Sequence, residues 1–201
     1  SWRNSDDGFV RDVHVSKLII DPNNNNVFYA TTQGATEYTD KVGDGAGVFK
    51  STDRGNNWTQ INNGLDSLET NILTVDPNDS ETLYLGTDDD GVYKSTDGGE
   101  SWKKLTVSSL SKSFGVGDII VDPQNSNNIY IGTVDYFRLS ESRGVLGDFG
   151  VYKSTDGGAT WEEFNLGLNH LGVFSLELSE ENRILYAGTR AGGVYWISLD
   201  N

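Results

Sequence analysis

Short runs of alternating apolar and polar residues recur along this chain, and their spacing predicts β-strands. One set opens at Leu18 (LIIDPNNNNVFYATT), Leu73 (LTVDPNDSETLYLGT), Ile119 (IIVDPQNSNNIYIGT) and Leu176 (LELSEENRILYAGT). Each reads as an apolar strand, a turn and a second apolar strand. Pro22, Pro77 and Pro123 preset φ in the first three turns and cannot continue a central strand. The fourth copy has lost the Asp-Pro pair and one residue of the turn. Late in the second strand, one slot holds Thr31, Gly86, Gly132 and Gly188, small residues that suit a crowded neighbourhood. Two positions earlier stand Tyr29, Tyr84, Tyr130 and Tyr186, which suit packing between sheets.

A second set follows the first: GVFKSTDRGNNW from Gly47, GVYKSTDGGESW from Gly91 and GVYKSTDGGATW from Gly150, with a decayed copy, GVYWISLDN, from Gly193. Val-Tyr/Phe-Lys is the period-2 pattern of a half-buried strand. The turn is Ser51, Asp53 and Gly55 in the first copy, Ser95, Asp97 and Gly99 in the second, and Ser154, Asp156 and Gly158 in the third. The aspartate is expected to accept N–H groups a residue or two later, and the glycine to take a positive φ. Trp58, Trp102 and Trp161 then fold an indole back under the hairpin and anchor it. These side chains are used up by their own turn, so the motif reads as a structural clasp and not as catalytic machinery.

Together the two sets give four strands per repeat of about 45–57 residues, the size of one blade of a β-propeller. The predicted architecture is all-β: a single domain over residues 1–201 with repeats at 12–66, 67–112, 113–168 and 169–201, plus a strand over 1–11. Trp2 falls in the slot of the clasp tryptophan, and Gly8 follows it by six residues, as Gly64 follows Trp58 and Gly167 follows Trp161. The chain therefore begins with the fourth strand of a blade and ends with the third. That first strand is expected to complete the last blade or a neighbouring one. A closed four-bladed ring and an open arc both fit.

Ser/Thr-x-Asp-x-Gly-x-x-Trp, present three times in register, resembles the Asp-box, or bacterial neuraminidase repeat, and the likeness runs over nearly the whole chain. The resemblance implies a propeller with the box at the turn between the third and fourth strands of each blade, away from the central pocket. Sialidases, xyloglucan-active glucanases, sortilin-type receptors and photosystem II assembly factors share it, so it implies a fold and no single activity. The sialidases' three substrate-gripping arginines and Tyr–Glu pair have no matching motif here. Only Arg138, Arg143 and Arg190 fall in suitable loops.

The connections between second and third strands alternate in length: Gln33 to Ala46, then Asp88 to Asp90, then Val134 to Phe149, then Arg190 to Gly192. Long loops on a rigid sheet are where function concentrates. Tyr38, Asp40 and Asp44 in the first, with Tyr136, Phe137, Arg138, Glu141, Arg143 and Asp148 in the third, are the candidate partner-binding residues. Their aromatics suit stacking on sugars or anchoring a protein. Asp40, Asp44, Glu141 and Asp148 are also the carboxylates from which a glycosidase pair would be drawn. Calcium is conceivable at Asp88, Asp89 and Asp90, although the run lacks the alternating spacing of a calcium loop; no other cofactor is expected.

Fifteen basic against 30 acidic residues leave a net charge of −15, which opposes binding to nucleic acid or an anionic membrane. Without cysteine there is no disulfide, thiol nucleophile or Cys-bound zinc, and no run is long enough to span a membrane. With no Met at position 1 or elsewhere and no signal peptide, the chain reads as a processed product or an excised piece. The function these features suggest is a non-enzymatic scaffold or binding module, extracellular or on a prokaryotic cell surface, for a protein or carbohydrate partner. Blade-edge strands offer a route to a homo-oligomer. A fragment of a propeller glycoside hydrolase whose catalytic acids lie elsewhere is the alternative, and a structural subunit assembling by strand exchange is another.

Overall fold

A computed structural model describes residues 4–5, 7–9, 13–34, 45–108, 110, 114–135 and 148–200. The first sheet is β1 (Val13–Asp21), β2 (Asn24–Gly34), β3 (Val48–Ser51) and β4 (Thr59–Gln60). The second is β5 (Thr70–Asp76), β6 (Asp79–Thr87), β7 (Val92–Ser95) and β8 (Lys103–Lys104). The third is β9 (Gly115–Val121), β10 (Ile129–Val134), β11 (Val151–Ser154) and β12 (Glu162–Glu163). The fourth has only β13 (Val173–Ser179), β14 (Ile184–Thr189) and β15 (Gly193–Ser198). Strands pair antiparallel in chain order, so each sheet is one propeller blade, and the described residues include no helix.

Two compact units are formed, Ser1–Leu85 with Tyr93–Lys104, and Gly86–Val92 with Leu105–Asn201. In the first unit Tyr29 and Val48 pack with Leu73, Val75 and Tyr93 of the next blade. In the second unit Tyr130 and Val151 pack in the same way with Leu176, Leu178 and Leu185. The predicted crowding at the small-residue slot is present. A Cβ on Gly132 would press on the Val173 side chain, and one on Gly188 would collide with the Ser175 hydroxyl.

All three clasps share one hydrogen-bond pattern. Ser51 Oγ donates to Asp53 Oδ1 at 2.8 Å and accepts from Gly55 N at 2.8 Å. Asp53 Oδ1 accepts from Asn57 N at 2.9 Å. The aspartate thus reaches four residues ahead, not one or two as expected, because the serine hydroxyl already takes the nearer N–H groups. Ser95, Asp97 and Ser101 repeat the pattern, as do Ser154, Asp156 and Thr160. The Ser101 hydroxyl, the Ser95 hydroxyl and Ser101 N–H pull the Asp97 carboxyl down to about 2. Thr160, through its hydroxyl and N–H, and Ser154 bring Asp156 to about 2, and Asn57 and Ser51 lower Asp53.

A carboxyl whose folded pKa lies below the unfolded value of about 3.9 contributes stability that is present above about pH 4. That contribution is lost as pH falls towards the folded pKa of about 2. The double variant Asp97→Asn/Asp156→Asn should therefore be less stable than the parent near neutrality and lose less on acidification. Urea titrations at neutral pH and near pH 3 measure this, and parallel losses in the two proteins would refute it.

Two of the three clasp indoles also tie their blade to the segment that precedes it in the repeat. Trp102 Nε1 donates to Ile61 O at 2.7 Å and Trp102 N to Asn63 O at 2.8 Å. Trp58 makes the same pair of bonds to Ser5 O at 3.1 Å and Asp7 O at 2.8 Å. Ser5 and Asp7 stand three and five residues after Trp2, as Ile61 and Asn63 stand after Trp58. The register read for the N-terminal segment therefore holds over its described residues; Trp2 itself lies outside them. Gly8 and Gly64 have φ of 95° and 92°, and a Cβ on either would strike the tryptophan carbonyl. The third clasp differs, with Trp161 Nε1 bonded to Gly158 O of its own turn. After Trp102 the corresponding position is Ser108, which enters a positive φ only at a cost.

Asp21, Asp76 and Asp122 each accept the N–H two residues on and so close the Asp-Pro turns. In the fourth blade that aspartate is missing, and Arg183 of the shortened turn reaches back to Asp122 instead. Its guanidinium donates to Oδ1 at 3.0 Å and Oδ2 at 2.5 Å, onto a carboxylate with no exposed surface.

Candidate functional site

Each β2–β3 type of connection leaves its blade through the same clip. The Thr32 hydroxyl donates to Gly47 O at 2.9 Å and accepts from Ala46 N at 2.9 Å. Thr87 does this with Gly91 and Asp90, Thr133 with Gly150 and Phe149, and Thr189 with Gly193 and Gly192. One hydroxyl therefore fixes the width of the neck whether the loop beyond is long or short. The recurring threonine closing YATT, YLGT, YIGT and YAGT was a visible signal for it.

The two long loops carry further bracing at their bases. Glu69 takes Gly34 N at 2.9 Å on one oxygen and Gly45 N at 2.8 Å on the other, spanning the neck of the first. At the base of the third, Asp148 Oδ1 accepts from Asp135 N at 2.9 Å. Arg190 donates to Asp135 O and lies 5.2 Å from the Phe174 ring centre. Phe174 is 40 % exposed and Leu171 is 37 % exposed beside this base. Asp148, Asp135, Arg190 and Phe174 are the described part of the candidate site, a rim with carboxylates, a guanidinium and a partly exposed aromatic. Of the predicted loop residues only Asp148 is placed, and its carboxylate holds the neck. Tyr38, Asp40, Asp44, Tyr136, Phe137, Arg138, Glu141 and Arg143 lie outside the described residues.

Among the described residues no group of three or more acidic or histidine side chains is placed to hold a metal, Asp88, Asp89 and Asp90 included. Asp90 N donates to the Thr87 hydroxyl at 2.9 Å as part of the clip. No helix among them is long and apolar enough to cross a membrane.

Blades, clasps and necks define an Asp-box propeller. Residues 46–195 match the Sortilin-Vps10 family (sortilin, neurotensin receptor 3), and the chain belongs to that family. A stretch of 96 residues, 43% of this chain, is 36% identical to the xyloglucanase Xgh74A of Acetivibrio thermocellus, of which it spans 11%. Among solved structures, the GH74 enzyme of Niastella koreensis matches 92% of this chain at 28% identity and TM-score 0.66. An ancestral GH74 enzyme matches 96% at 26% identity and TM-score 0.71. The chain spans 28% and 23% of those two proteins.

These relatives correct the expectation of a non-enzymatic module, since the likeness is to named hydrolases. The Asp-box could not have told the two apart. Its side chains are spent within their own hairpins, so it is compatible with a hydrolase as readily as with a receptor.

Proposed function

We propose that this chain is a blade segment of an extracellular glycoside hydrolase acting on xyloglucan, and that its long-loop bases hold the polysaccharide. The observation that carries this reading is the 36% identity to a xyloglucanase, supported by the likeness to two GH74 enzymes above 25% identity. Glycan binding suits the rim chemistry: the partly exposed Phe174 ring offers an apolar surface to a pyranose, and the Arg190 guanidinium can donate to its hydroxyls. The clipped necks supply rigidity, so little ordering entropy is lost when a chain of sugars is bound. Asp148 has a positioning role here, with its carboxylate turned onto the Asp135 N–H. The pair of catalytic acids belongs to other parts of the enzyme.

Affinity electrophoresis of the 201-residue chain in gels containing xyloglucan tests the reading. Retardation by xyloglucan, absent with unsubstituted cellulose derivatives and reduced in Phe174→Ala, is the expected result. Equal mobility with and without xyloglucan would overturn it.

A further inference from the structure

The first strands β1, β9 and β13 each carry a β-bulge in the same slot of the repeat. The extra residue is Ser16 in β1, Gly117 in β9 and Phe174 in β13. Repeat alignment puts Asn71 of β5 in that slot. A bulge bends its strand and re-aims the side chain it carries. The two units fill the space beside the slot differently. In the first unit Ser16 Oγ donates to Thr70 O at 2.8 Å and Thr31 Oγ1 to Asn71 O at 3.1 Å, so hydroxyls stand between neighbouring blades. In the second unit both positions are glycine, Gly117 and Gly132. A Cβ on Gly117 would lie 2.2 Å from Val173 O and 3.0 Å from Phe174 Cα. The missing side chain lets the β13 backbone press onto β9 at the bulge itself.

Two further contacts from the third blade bracket Phe174. Asp118, next to Gly117, accepts Leu176 N–H on Oδ2 at 2.8 Å and its neighbour Ile119 N–H on Oδ1 at 2.9 Å. Leu176 lies two residues past the bulge, and Val173, which meets Gly117, lies one before it. Arg190 lies 5.2 Å from the Phe174 ring centre and donates to the carbonyl of Asp135, the residue after β10. The backbone before the ring, the backbone after it and the cation on its face are thus all held by the third blade.

We propose that Gly117 and Asp118 are positioning residues for Phe174, the apolar surface offered to a pyranose; the functional half of this inference rests on the glycan reading above. Both act through Phe174 and not on the sugar. Gly117 sets how closely β13 sits on β9, and Asp118 fixes the course of the strand beyond the bulge. The ring is thereby kept where Arg190 can serve the same sugar. The pairing of slots supports this. Where serine spaces the blades, the next strand carries an amide, Asn71, and where glycine lets them close it carries the aromatic. A binding group is only as well placed as the residues that lock it, so this support decides how much of the aromatic contact is realised.

Nuclear magnetic resonance of the isotope-labelled 201-residue chain, with its xyloglucan affinity, tests this. The Arg190 Nε–H resonance reports the ring current of Phe174 and is assigned with Arg190→Lys and Phe174→Leu. Gly117→Ala should move it towards its Phe174→Leu position and weaken xyloglucan binding by about threefold to tenfold, the worth of one aromatic contact. Asp118→Ala should act in the same direction without adding bulk. Asp118→Asn keeps an oxygen for the Leu176 N–H and should hold both readouts near the parent's. Gly132→Ala crowds the Val173 side chain instead, and should lose stability in urea while changing both readouts less. An Arg190 resonance left in place by Gly117→Ala and Asp118→Ala, or displaced as far by Gly132→Ala, would overturn the positioning role. That resonance decides the matter with or without sugar, whereas a parent chain that xyloglucan does not bind would sink the glycan reading alone.

Discussion

Trp102→Ala should lower the stability of the unit that contains it by about 3–5 kcal/mol, the range for truncating a large buried aromatic. The indole is 5 % exposed and packs with Leu73, Val75 and Tyr93 of its own blade and Tyr29 and Val48 of the preceding one. Removing it leaves a cavity in the interface and strips the Ile61 carbonyl of its donor. The same truncation at Trp161 should cost less, since that indole donates only within its own turn, to Gly158 O. Urea unfolding followed by far-ultraviolet circular dichroism measures both. Equal losses would show that the clasp acts only within its hairpin and that the tie to the preceding segment contributes little.

Arg183→Ala should be of comparable size, about 3–5 kcal/mol, because it leaves a buried carboxylate without its cation. Burial alone would raise the Asp122 carboxyl. The Arg183 hydrogen bonds, with Gln124 N–H and the Asn128 amide, outweigh that and hold it below the usual range. Once the guanidinium is gone, burial is opposed only by the weaker donors, so the folded pKa rises. A raised folded pKa means the folded state takes up the proton first, and stability grows as pH falls. The deficit of Arg183→Ala relative to the parent should therefore narrow on going from pH 7 to about pH 5. Asp122→Asn/Arg183→Met, which removes both charges and keeps the packing volume, should recover most of the loss. A deficit independent of pH would mean that lost contacts of the arginine stem, and not the stranded charge, are responsible.

What could be read in advance was whatever is written within one repeat. Asp53 with Trp58, Pro22 with the strands on either side, and the shortfall of one strand in the last blade are local patterns copied several times. Copies in register cancel the ambiguity of any single match. Trp2 was placed the same way, through Gly8, and the bonds of Ser5 and Asp7 to Trp58 follow that register. Contacts that each occur once left no such trace. Glu69 reaches across to both Gly34 and Gly45, and Arg183 substitutes for a lost turn aspartate by travelling to a different blade. The pattern of polar and apolar residues around either gives no hint of the partner. Of the long-loop candidates Asp148 is the one placed, and the hydrogen bond its carboxylate accepts from Asp135 N–H is another single contact that its residue type did not announce. Enzyme class was not legible, because the repeated residues describe how hairpins close and nothing about what is bound between them.

The threonine clip has a consequence for how such a chain diversifies. Its hydroxyl bridges the same two backbone atoms beneath a three-residue connection and beneath one several times longer. Chain inserted above that bridge meets only the closure penalty of a flexible loop, about 0.6 kcal/mol for each doubling in length. New specificities can therefore be spliced in at these four threonines while the sheets below are inherited unchanged.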